Sequence, residues 1–327
     1  VEDDAHMEID LVMRGEDGLN NTPTQLTLYR ALGIEPPAFA HLPFILGQDR
    51  SKLSKRHAPV SVGHYRDEGY LPEAMLNFLA RIGWSYGDQE IFTKEELIEK
   101  FSIEGIGKTA GVFPADKLVW LNYERIKKMD PAELAELVKP FVEKEGLPLP
   151  SEERLVEICR MQQDRSHTLK ELVDISRYFF VRTPIQEKAG KKFLTGASRD
   201  LLVEARELIA AQEDLSAEAI EGPLKELAAR HEVGLGKVAQ PLRVALTGGT
   251  ASPGIFEVIA FFGKEESLRR IDEALAADFG CRGARLRLKG PSSSRRRRKE
   301  KLPPGVTADP LLGDRLTAGR MTLTHTV

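Results

Sequence analysis

A short cationic segment with the sequence KLSKR places three cations and one hydroxyl in five consecutive positions. It consists of Lys52, Leu53, Ser54, Lys55 and Arg56. Lysine ammonium groups are mobile point charges and a serine hydroxyl adds a neutral donor, so the segment suits a polyphosphate whose leaving group gains negative charge. Taken alone, such a run is more often a solvated charge cluster.

Upstream of this segment, an arginine and two acids follow a predicted strand. Arg14 comes directly after apolar residues, where its guanidinium could bind a carboxylate through two parallel hydrogen bonds. Glu16 and Asp17 follow within one turn and could hold an ammonium group. Alone, these residues also fit a surface ion network. Together with the KLSKR segment, about 40 residues further on, they describe a pocket for a zwitterionic acid beside a triphosphate.

Three predicted elements position these residues. The sequence MEIDLVMRG alternates apolar and polar residues, which predicts a strand with Ile9, Leu11 and Met13 on one face. A helix follows, with Thr22 as its N-cap and Gly33 as its C-terminal stop. The sequence FAHLPFILG then predicts a short buried strand that ends at the cationic segment. A strand, a helix and a second strand form half of a doubly wound α/β sheet, which binds ligands at the carboxyl ends of its strands.

Helices are predicted for most of the remaining chain. Residues 71–129 include a capping box formed by Thr93 and Glu96. From Asp130 onward the spacing of apolar residues predicts helices only. The serines predicted to cap these helices are Ser151, Ser166, Ser216 and Ser252.

The sequence therefore divides into four predicted blocks, which are a partial doubly wound α/β domain, a helical connecting domain, an all-helical domain and a basic tail. Their bounds are 1–70, 71–129, 130–280 and 281–327. The tail contains RRRRKEK and lacks apolar periodicity, so we expect it to be disordered. Its basic run has three interpretations: a nuclear signal or RNA-binding arm, a solvated tail, and a segment that results from read-through or a shifted reading frame.

Composition excludes several classes of protein. The 327 residues have a formal net charge of −3, which combines about +9 from residue 281 onward with about −12 in the preceding body. No run approaches the roughly 20 apolar residues that span a bilayer. The two cysteines, Cys159 and Cys281, lack CxxC spacing, so neither a disulfide framework nor a zinc site is expected. The N-terminal sequence VEDD resembles neither a secretory signal nor a transit peptide, and we expect a cytoplasmic protein.

Four stretches of the sequence resemble a single family. They are RGED…NNTPTQLTLYRALG, FAHLPFILGQDRSKLSKRH, YRDEGYLPEAMLNFLARIGWS and QPLRVALTGGTASPGIFEVIAFFGKEESLRRI. Their order and approximate spacing are similar to those of bacterial glutamyl-tRNA synthetases, which are class I aminoacyl-tRNA synthetases. The resemblance extends from Val1 to about Phe279. It implies activation of glutamate with ATP and transfer of the acyl group to tRNA-Glu.

The resemblance implies roles for the residues considered above. KLSKR corresponds to the second ATP signature of class I synthetases, KMSKS in its general form, so its five residues are expected to bind ATP. Within it, Lys52, Ser54 and Lys55 are expected to be catalytic, with Lys55 stabilising the transition state of adenylate formation. Arg14 matches the arginine that binds the side-chain carboxylate of glutamate, and Asp17 matches the acid near its amino group.

Two features depart from the family pattern. Gly18 stands where the family usually has histidine or an aromatic residue beside the adenylate. The first class I signature, HIGH, does not occur in the sequence, which suggests the carboxyl-terminal portion of a synthetase that needs its other half for activity. A tRNA-binding module without independent catalysis is the alternative function. A shorter paralogue that glutamylates a modified tRNA base is disfavoured, because it lacks an anticodon-binding domain and this chain has helices beyond Asp130.

The all-helical block resembles the anticodon-binding cage of the bacterial enzymes. By that resemblance, the residues near the anticodon bases are Arg165, Arg243, Ser252, Pro253 and Ile255. A helix-borne arginine and the N-terminus of the next helix would provide donors for phosphates or base edges. A surface ion pair is the alternative for Arg243. The expected partners are tRNA-Glu, L-glutamate and ATP with Mg²⁺, and we expect no protein-bound metal, no membrane association and a monomer.

Overall fold

Two short parallel strand pairs and a long series of helices make up this computed structural model. The structure describes residues 1–47, 50–52, 61–107 and 109–279. The basic tail 281–327, for which we expect disorder, lies outside these described residues. Contacts group Val1–Cys281 into one compact unit. Within the described ranges, none of the helices combines the length and the apolarity that a membrane span requires.

Helices and strands are mixed up to residue 129, and the regular elements described between residues 130 and 279 are all helices. The first part of the described chain contains α1 (Glu2–His6), β1 (Leu11–Gly15), a 3-10 helix (Glu16–Asn21), α2 (Thr22–Leu32), β2 (Ala38–Leu42), β3 (Ile45–Leu46), α3 (Val62–Asp67), α4 (Pro72–Arg81), α5 (Lys94–Lys100), β4 (Gly111–Val112) and α6 (Ala115–Lys128). The second part contains α7 (Pro131–Lys144), α8 (Glu152–Gln162), a 3-10 helix (Gln163–Arg165), α9 (Leu169–Phe180), α10 (Glu187–Phe193), α11 (Ala197–Ala211), α12 (Ala217–Arg230), α13 (Gly236–Thr247) and α14 (Ile255–Ala276). The all-helical prediction is therefore confirmed for residues 130–279.

The first strands and helix form a parallel strand, helix and strand unit. β1 pairs with β2 in a register that places Leu11 opposite Ala38 and Arg14 opposite His41. Gly33 ends α2 with a φ of 68°, the left-handed conformation that glycine adopts most readily. The predicted partial α/β unit and the predicted helix stop are confirmed. The register brings the carboxyl end of β1 beside the end of β2.

Two predictions about these strands are wrong. Ile9 lies outside β1, and Ile9 and Met13 are each 37% exposed, because a two-stranded ribbon buries little surface on either face. The sequence FAHLPFILG forms two strands instead of one, and they belong to separate sheets. Pro43, which follows β2, has no N–H to continue the ladder. β3 pairs with β4, with Ile45 opposite Gly111.

Several predicted helix caps are confirmed. Thr93 and Glu96 form the capping box of α5, in which the Glu96 N–H donates to Thr93 Oγ1 at 3.1 Å. Ser151 occupies the N-cap position of α8. Ser216 caps α12 and accepts from the Ala219 N–H at 3.4 Å. These helices begin where local side-chain chemistry predicts.

Three other predicted N-caps are wrong. Thr22 is the first residue of α2 rather than its cap. Ser166 donates to the Gln162 carbonyl at 2.9 Å, and Thr168 caps α9 instead. Ser252 lies two residues before the cap of α14. In each case the hydroxyl bonds another group, so it is not available to the first N–H groups of the helix.

The main apolar core of the described chain lies in the helices after residue 150. It joins α11, α13 and α14 and includes Leu202, Leu242, Ile259 and Ile271, each 0% exposed. Protein interiors pack as densely as organic crystals, so such a core fixes the relative positions of its helices. This core therefore holds in place the helix ends that contain the predicted anticodon residues.

A buried asparagine joins the connecting block to the all-helical block. Asn122 accepts from the Leu71 N–H at 2.8 Å and donates to the His167 carbonyl at 2.5 Å. At the same junction Gly69 has a φ of 86°, and a Cβ there would lie 2.6 Å from the backbone nitrogen of Lys170. Only glycine fits that approach without displacement. The start of α4 is thereby fixed against the start of α9.

Candidate functional site

Arg14 lies at the carboxyl end of β1, and neighbouring oxygens and one imidazole hold its guanidinium. Nη2 donates to the Gly18 carbonyl at 3.1 Å, to Thr22 Oγ1 at 2.8 Å and to Gln25 Oε1 at 2.6 Å. Nε donates to His41 Nε2 at 3.5 Å. We refer to these five residues as the Arg14 site. Their contacts fix the guanidinium along its Nε and Nη2 side.

One nitrogen of this guanidinium has no hydrogen-bond partner among the described residues. Nη1 of Arg14 makes no hydrogen bond to any residue that the structure describes. Nη2 already has three acceptors for its two hydrogens. The predicted grip through two parallel bonds would therefore require Nη2 to exchange one of these acceptors for a carboxylate oxygen.

The absence of a side chain at Gly18 makes room for Arg14. A Cβ at Gly18 would lie 2.5 Å from Arg14 Nε and 2.7 Å from its Cδ. Contacts this short do not occur between real side chains, so any larger residue would displace the guanidinium. The family usually has a histidine or an aromatic residue at the position of Gly18. In this chain the Arg14 side chain occupies the space that such a residue would need.

Lys52 is the member of KLSKR that the structure describes, and it contacts Asp17. Its Nζ lies 3.6 Å from Asp17 Oδ2 and 4.3 Å from the centroid of the Phe44 ring. An antiparallel bridge between Leu46 and Lys52 brings it there. Glu16 instead accepts from the Phe44 N–H at 3.3 Å. The other predicted ATP-binding residues, Leu53, Ser54, Lys55 and Arg56, lie outside the described residues.

Sequence reasoning missed three groups of the Arg14 site. Thr22 and Gln25 lie three residues apart at the start of α2, so they share a helix face. That spacing was a usable signal. His41 faces Arg14 through the register of β1 and β2, which residue spacing along the chain does not define.

Two arginines of the all-helical block meet at one serine. Arg243 on α13 donates from Nε to Ser252 Oγ at 2.8 Å. Arg165, at the end of its 3-10 helix, donates from Nη1 to the Ser252 carbonyl at 2.6 Å. We call these three residues the arginine cluster. In the described part of the chain, neither arginine pairs with a carboxylate.

No carboxylate of the described chain compensates the positive charge of the arginine cluster. Burial lowers the pKa of the half-buried Arg243 guanidinium, and the charge of the neighbouring Arg165 lowers it further. Arginine guanidinium groups carry a positive charge in proteins at neutral pH. Two cations without a carboxylate partner attract a phosphate or the acceptor edge of a nucleobase. The surface ion pair considered for Arg243 is absent among the described residues.

The other two predicted anticodon residues are buried. Ile255 is 4% exposed and belongs to the main apolar core, and Pro253 is also buried. The Gly254 N–H donates to Glu257 Oε2 at 3.0 Å. The predicted free N–H is therefore occupied at this position of the helix N-terminus. The arginines are the more accessible donors of the region.

Gln162 and Tyr178 lie close to the arginine cluster and were not predicted. Gln162 Nε2 donates to the Tyr178 hydroxyl at 2.9 Å. Burial raises the pKa of the Tyr178 hydroxyl, while the Gln162 bond and the nearby Arg165 and Arg243 charges oppose that rise. Both residues occupy buried faces of amphipathic helices, where the sequence predicts packing and gives no sign of a polar contact.

A cleft elsewhere in the molecule has a volume of about 520 Å³. It lies between α4, α6 and α7, and Arg125 and Lys128 are among its lining residues. It contains no predicted site residue and is separate from both the Arg14 site and the arginine cluster. Among the residues that the structure describes, no three or more His, Cys, Asp or Glu side chains are grouped so as to hold a metal ion.

Two family models match the chain. The catalytic domain of class I tRNA synthetases (E and Q) matches residues 1–120. An anticodon binding domain matches residues 133–275. The Arg14 site lies within the first match, and the arginine cluster lies within the second.

Individual relatives agree with these models. The glutamate–tRNA ligase of Anaeromyxobacter sp. (strain K) is 50% identical over 275 residues, which cover 84% of this chain and 58% of the relative. The glutamate–tRNA ligase of Thermodesulfovibrio yellowstonii is 49% identical over 283 residues, 85% of this chain and 61% of the relative. A solved glutamate tRNA ligase from Elizabethkingia meningosepticum, in complex with its amino acid, has a TM-score of 0.74 at 32% identity, covering 84% of this chain and 58% of that chain. The chain thus spans about three fifths of the length of these relatives.

Proposed function

Because this chain belongs to the glutamate–tRNA ligase family of class I aminoacyl-tRNA synthetases, we propose that it contributes to the attachment of glutamate to tRNA-Glu. In the first step a glutamate carboxylate attacks the α-phosphate of ATP and releases pyrophosphate. In the second, a ribose hydroxyl at the tRNA end attacks the glutamyl-adenylate and releases AMP. Such a reaction needs positioning and charge stabilisation rather than a protein nucleophile. The convergence of Arg165 and Arg243 on Ser252 is the observation that most supports this proposal.

Anticodon binding is assigned to the arginine cluster. The body of the chain has a net charge of about −12, so RNA must meet local cations, and the arginine cluster provides two of them. RNA is read through unstacked bases that bond to side chains or stack on arginine planes. In this assignment Pro253 and Ile255 support Ser252 from the core instead of contacting bases.

Glutamate binding is assigned to Arg14 and Asp17. Arg14 would use Nη1, its nitrogen without a partner in the described chain, to bind the side-chain carboxylate of the amino acid. Asp17 would bind the amino group. Its contact with Lys52 joins two side chains that are 64% and 58% exposed, so water screens the pair and an ammonium group can replace it at little cost.

ATP binding is assigned to the KLSKR segment, with Mg²⁺ accompanying the nucleotide. Lys52, Leu53, Ser54, Lys55 and Arg56 would surround the phosphates. Lys55 would stabilise negative charge as pyrophosphate leaves, and Lys52 and Ser54 would support it. Lys52 already lies beside Asp17, which would place the phosphates near the amino acid.

The four blocks of the sequence correspond to functional parts in this proposal. Residues 1–70 belong to the catalytic domain, 71–129 connect it to the anticodon-binding region, 130–280 bind the anticodon, and 281–327 form a basic tail. We further propose that the protein acts as a monomer in the cytoplasm, where its tRNA, glutamate and ATP are available.

A tRNA-binding module without independent catalysis is the second candidate function. The observation that favours it is the absence of a HIGH sequence from the 327 residues. In class I synthetases this signature supports the nucleotide together with the KMSKS segment. Both candidates require binding of tRNA, and they differ in whether this chain contributes residues to the activation of glutamate when the half that contains HIGH is supplied.

Binding of tRNA by the purified chain tests what the two candidates share. Filter binding should show tighter binding of tRNA-Glu than of the same tRNA with a swapped anticodon. Equal affinity for both would contradict the assignment of anticodon recognition. The chain alone should show no glutamate-dependent exchange of pyrophosphate into ATP with tRNA present. Exchange after the chain is joined to the part of a relative's catalytic domain that contains HIGH then separates the candidates, because a binding module would not support exchange in that context either.

A further inference from the structure

A histidine to which the family resemblance gives no role faces Arg14. His41 Nε2 lies 3.5 Å from Arg14 Nε and 3.0 Å from Thr22 Oγ1. The Arg14 Nε–H points at this nitrogen, so a hydrogen on Nε2 would meet another N–H group. Nε2 must therefore be an acceptor, which requires a neutral imidazole whose proton is on Nδ1.

The bonds of Thr22 agree with this tautomer. Thr22 Oγ1 accepts from Arg14 Nη2 at 2.8 Å, which leaves its single hydrogen to donate. The two acceptors within reach are His41 Nε2 at 3.0 Å and the Gly18 carbonyl at 3.3 Å. The shorter contact is the better hydrogen bond, so Nε2 receives hydrogens from both Arg14 and Thr22.

The charged surroundings of His41 do not favour an imidazolium. The charged group in contact with it is the Arg14 guanidinium from β1. The acids of the neighbouring 3-10 helix have other partners, since Glu16 accepts from a backbone N–H and Asp17 pairs with Lys52. Within the described chain, no carboxylate hydrogen-bonds to His41. A proton on Nε2 would place a second positive charge beside the guanidinium.

We propose that His41 is a positioning residue for Arg14. As the neutral Nδ1–H tautomer it accepts from Arg14 Nε and orients the guanidinium so that Nη1 is presented to the carboxylate of the amino-acid substrate. This proposal rests on the glutamate-binding role proposed for Arg14. Loss of this acceptor would leave the Arg14 Nε–H without its partner on β2, so the guanidinium would move and bind the carboxylate less tightly.

NMR spectroscopy of the 327-residue chain tests the placement directly. Long-range ¹H–¹⁵N spectra at pH 8, assigned with His41→Gln, should show His41 as the Nδ1–H tautomer. The Arg14 Nε–H signal, assigned with Arg14→Lys, should move in His41→Ala, which has no acceptor. In His41→Gln that signal should stay close to its position in the parent, because glutamine Oε1 accepts a hydrogen bond. The control His6→Gln, at an exposed position of α1, should behave as the parent does.

Glutamate activation tests the consequence for the substrate. The readout is pyrophosphate exchange by a complete enzyme, built by joining residues 1–279 to the part of a relative's catalytic domain that contains HIGH. At pH 8 the KM for L-glutamate should rise about 10-fold in His41→Ala, which has no acceptor for Arg14 Nε, and less than about 2-fold in His41→Gln, whose Oε1 can accept that hydrogen bond.

Either of two results overturns the proposal. One is a hydrogen on His41 Nε2 at pH 8. The other is a KM for L-glutamate in His41→Ala that equals the KM of the parent. If no glutamate-dependent exchange occurs at any pH, the proposed function fails, and the NMR result still decides whether His41 positions Arg14.

Discussion

The Arg14 site and the arginine cluster both hold guanidinium groups with protein acceptors, but the structures beneath them differ. Beside the Arg14 site, Met13 of β1 and Ile9, which precedes that strand, are each 37% exposed. Beneath the arginine cluster, α11, α13 and α14 enclose a core in which Leu202 and Ile259 are 0% exposed. The orientation of Arg14 therefore depends on its local polar contacts, whereas packing fixes the frame of the arginine cluster.

Truncation of apolar residues in the two regions should have very different effects on stability. Leu202→Ala removes a fully buried side chain and should lower the free energy of unfolding by about 3 kcal/mol, through lost burial and the cavity left behind. Leu28→Ala, at a position of α2 that is 48% exposed, should cost less than about 0.5 kcal/mol. Urea denaturation followed by circular dichroism measures both. Similar losses in the two variants would remove the contrast between the regions.

The KLSKR segment should act through charge in the transition state. In the complete enzyme described above, Lys55→Ala should lower the rate of adenylate formation by about 10²-fold, because it removes a cation directed at the leaving group. The KM for glutamate should change little. Lys94→Ala, at an exposed position of α5, is the matched control and should retain the parent rate. Weaker ATP binding with unchanged turnover would instead show that the segment binds the phosphates of ATP before the reaction and does not stabilise the transition state.

An ion network adds a pH-dependent contribution to the stability of the helical region. Arg269 and Arg270 hold the pKa of Glu266 at about 2, well below its usual value of 4.5. A lowered pKa in the folded state stabilises the protein above about pH 4.5, and this contribution is lost as the pH falls towards 2. Glu266→Gln should therefore cost about 1–2 kcal/mol at pH 7, an estimate reduced for screening by water.

The effect of Glu266→Gln should shrink steadily when urea denaturation is repeated at lower pH. Glu207→Gln, an exposed change on α11, serves as the control and should follow the parent at each pH. A cost for Glu266→Gln that is the same at pH 3 and pH 7 would show that the lost stability does not come from the charge of this carboxylate.

The basic tail should contribute a smaller, sequence-independent effect. Truncation after residue 280 removes a net charge of about +9. RNA binding should weaken several-fold at about 50 mM salt and much less at about 200 mM, because the tail attracts phosphates through displaced counterions. The preference for the tRNA-Glu anticodon should persist in filter binding. Loss of that preference on truncation would make the tail the recognition element in place of the arginine cluster.

The sequence predicted what local chemistry determines. Alternation and caps located the strand, helix and strand unit, the capping box at Thr93 and the helices beyond Asp130, all of which the structure contains. The same local rules failed for Ser166 and Ser252, because each hydroxyl bonds a group outside the helix that it was expected to cap. Capping rules consider only the helix that follows the hydroxyl in sequence. They do not consider other groups in the folded protein that can form a hydrogen bond with the same hydroxyl.

The candidate site was predictable where it depends on residue type and not where it depends on register or packing. Arg14 was identified from its position after a strand, whereas its bond to His41 requires the pairing of β1 with β2. Arg165 and Arg243 were proposed separately, and only the packed helices show that both bond Ser252. Contacts between residues distant in sequence form through tertiary packing, which local patterns do not encode.

The measurement that tests the central claim most directly compares Arg243→Ala with Arg230→Ala in tRNA binding by the full chain. Arg230 is an exposed cation at the end of α12, so its loss changes the net charge equally. Arg243→Ala should reduce the preference for tRNA-Glu over its anticodon-swapped form by about 10-fold, while Arg230→Ala should leave that preference unchanged and weaken both RNAs alike. An undiminished preference in Arg243→Ala, at both low and high salt, would contradict the assignment of anticodon recognition to the arginine cluster.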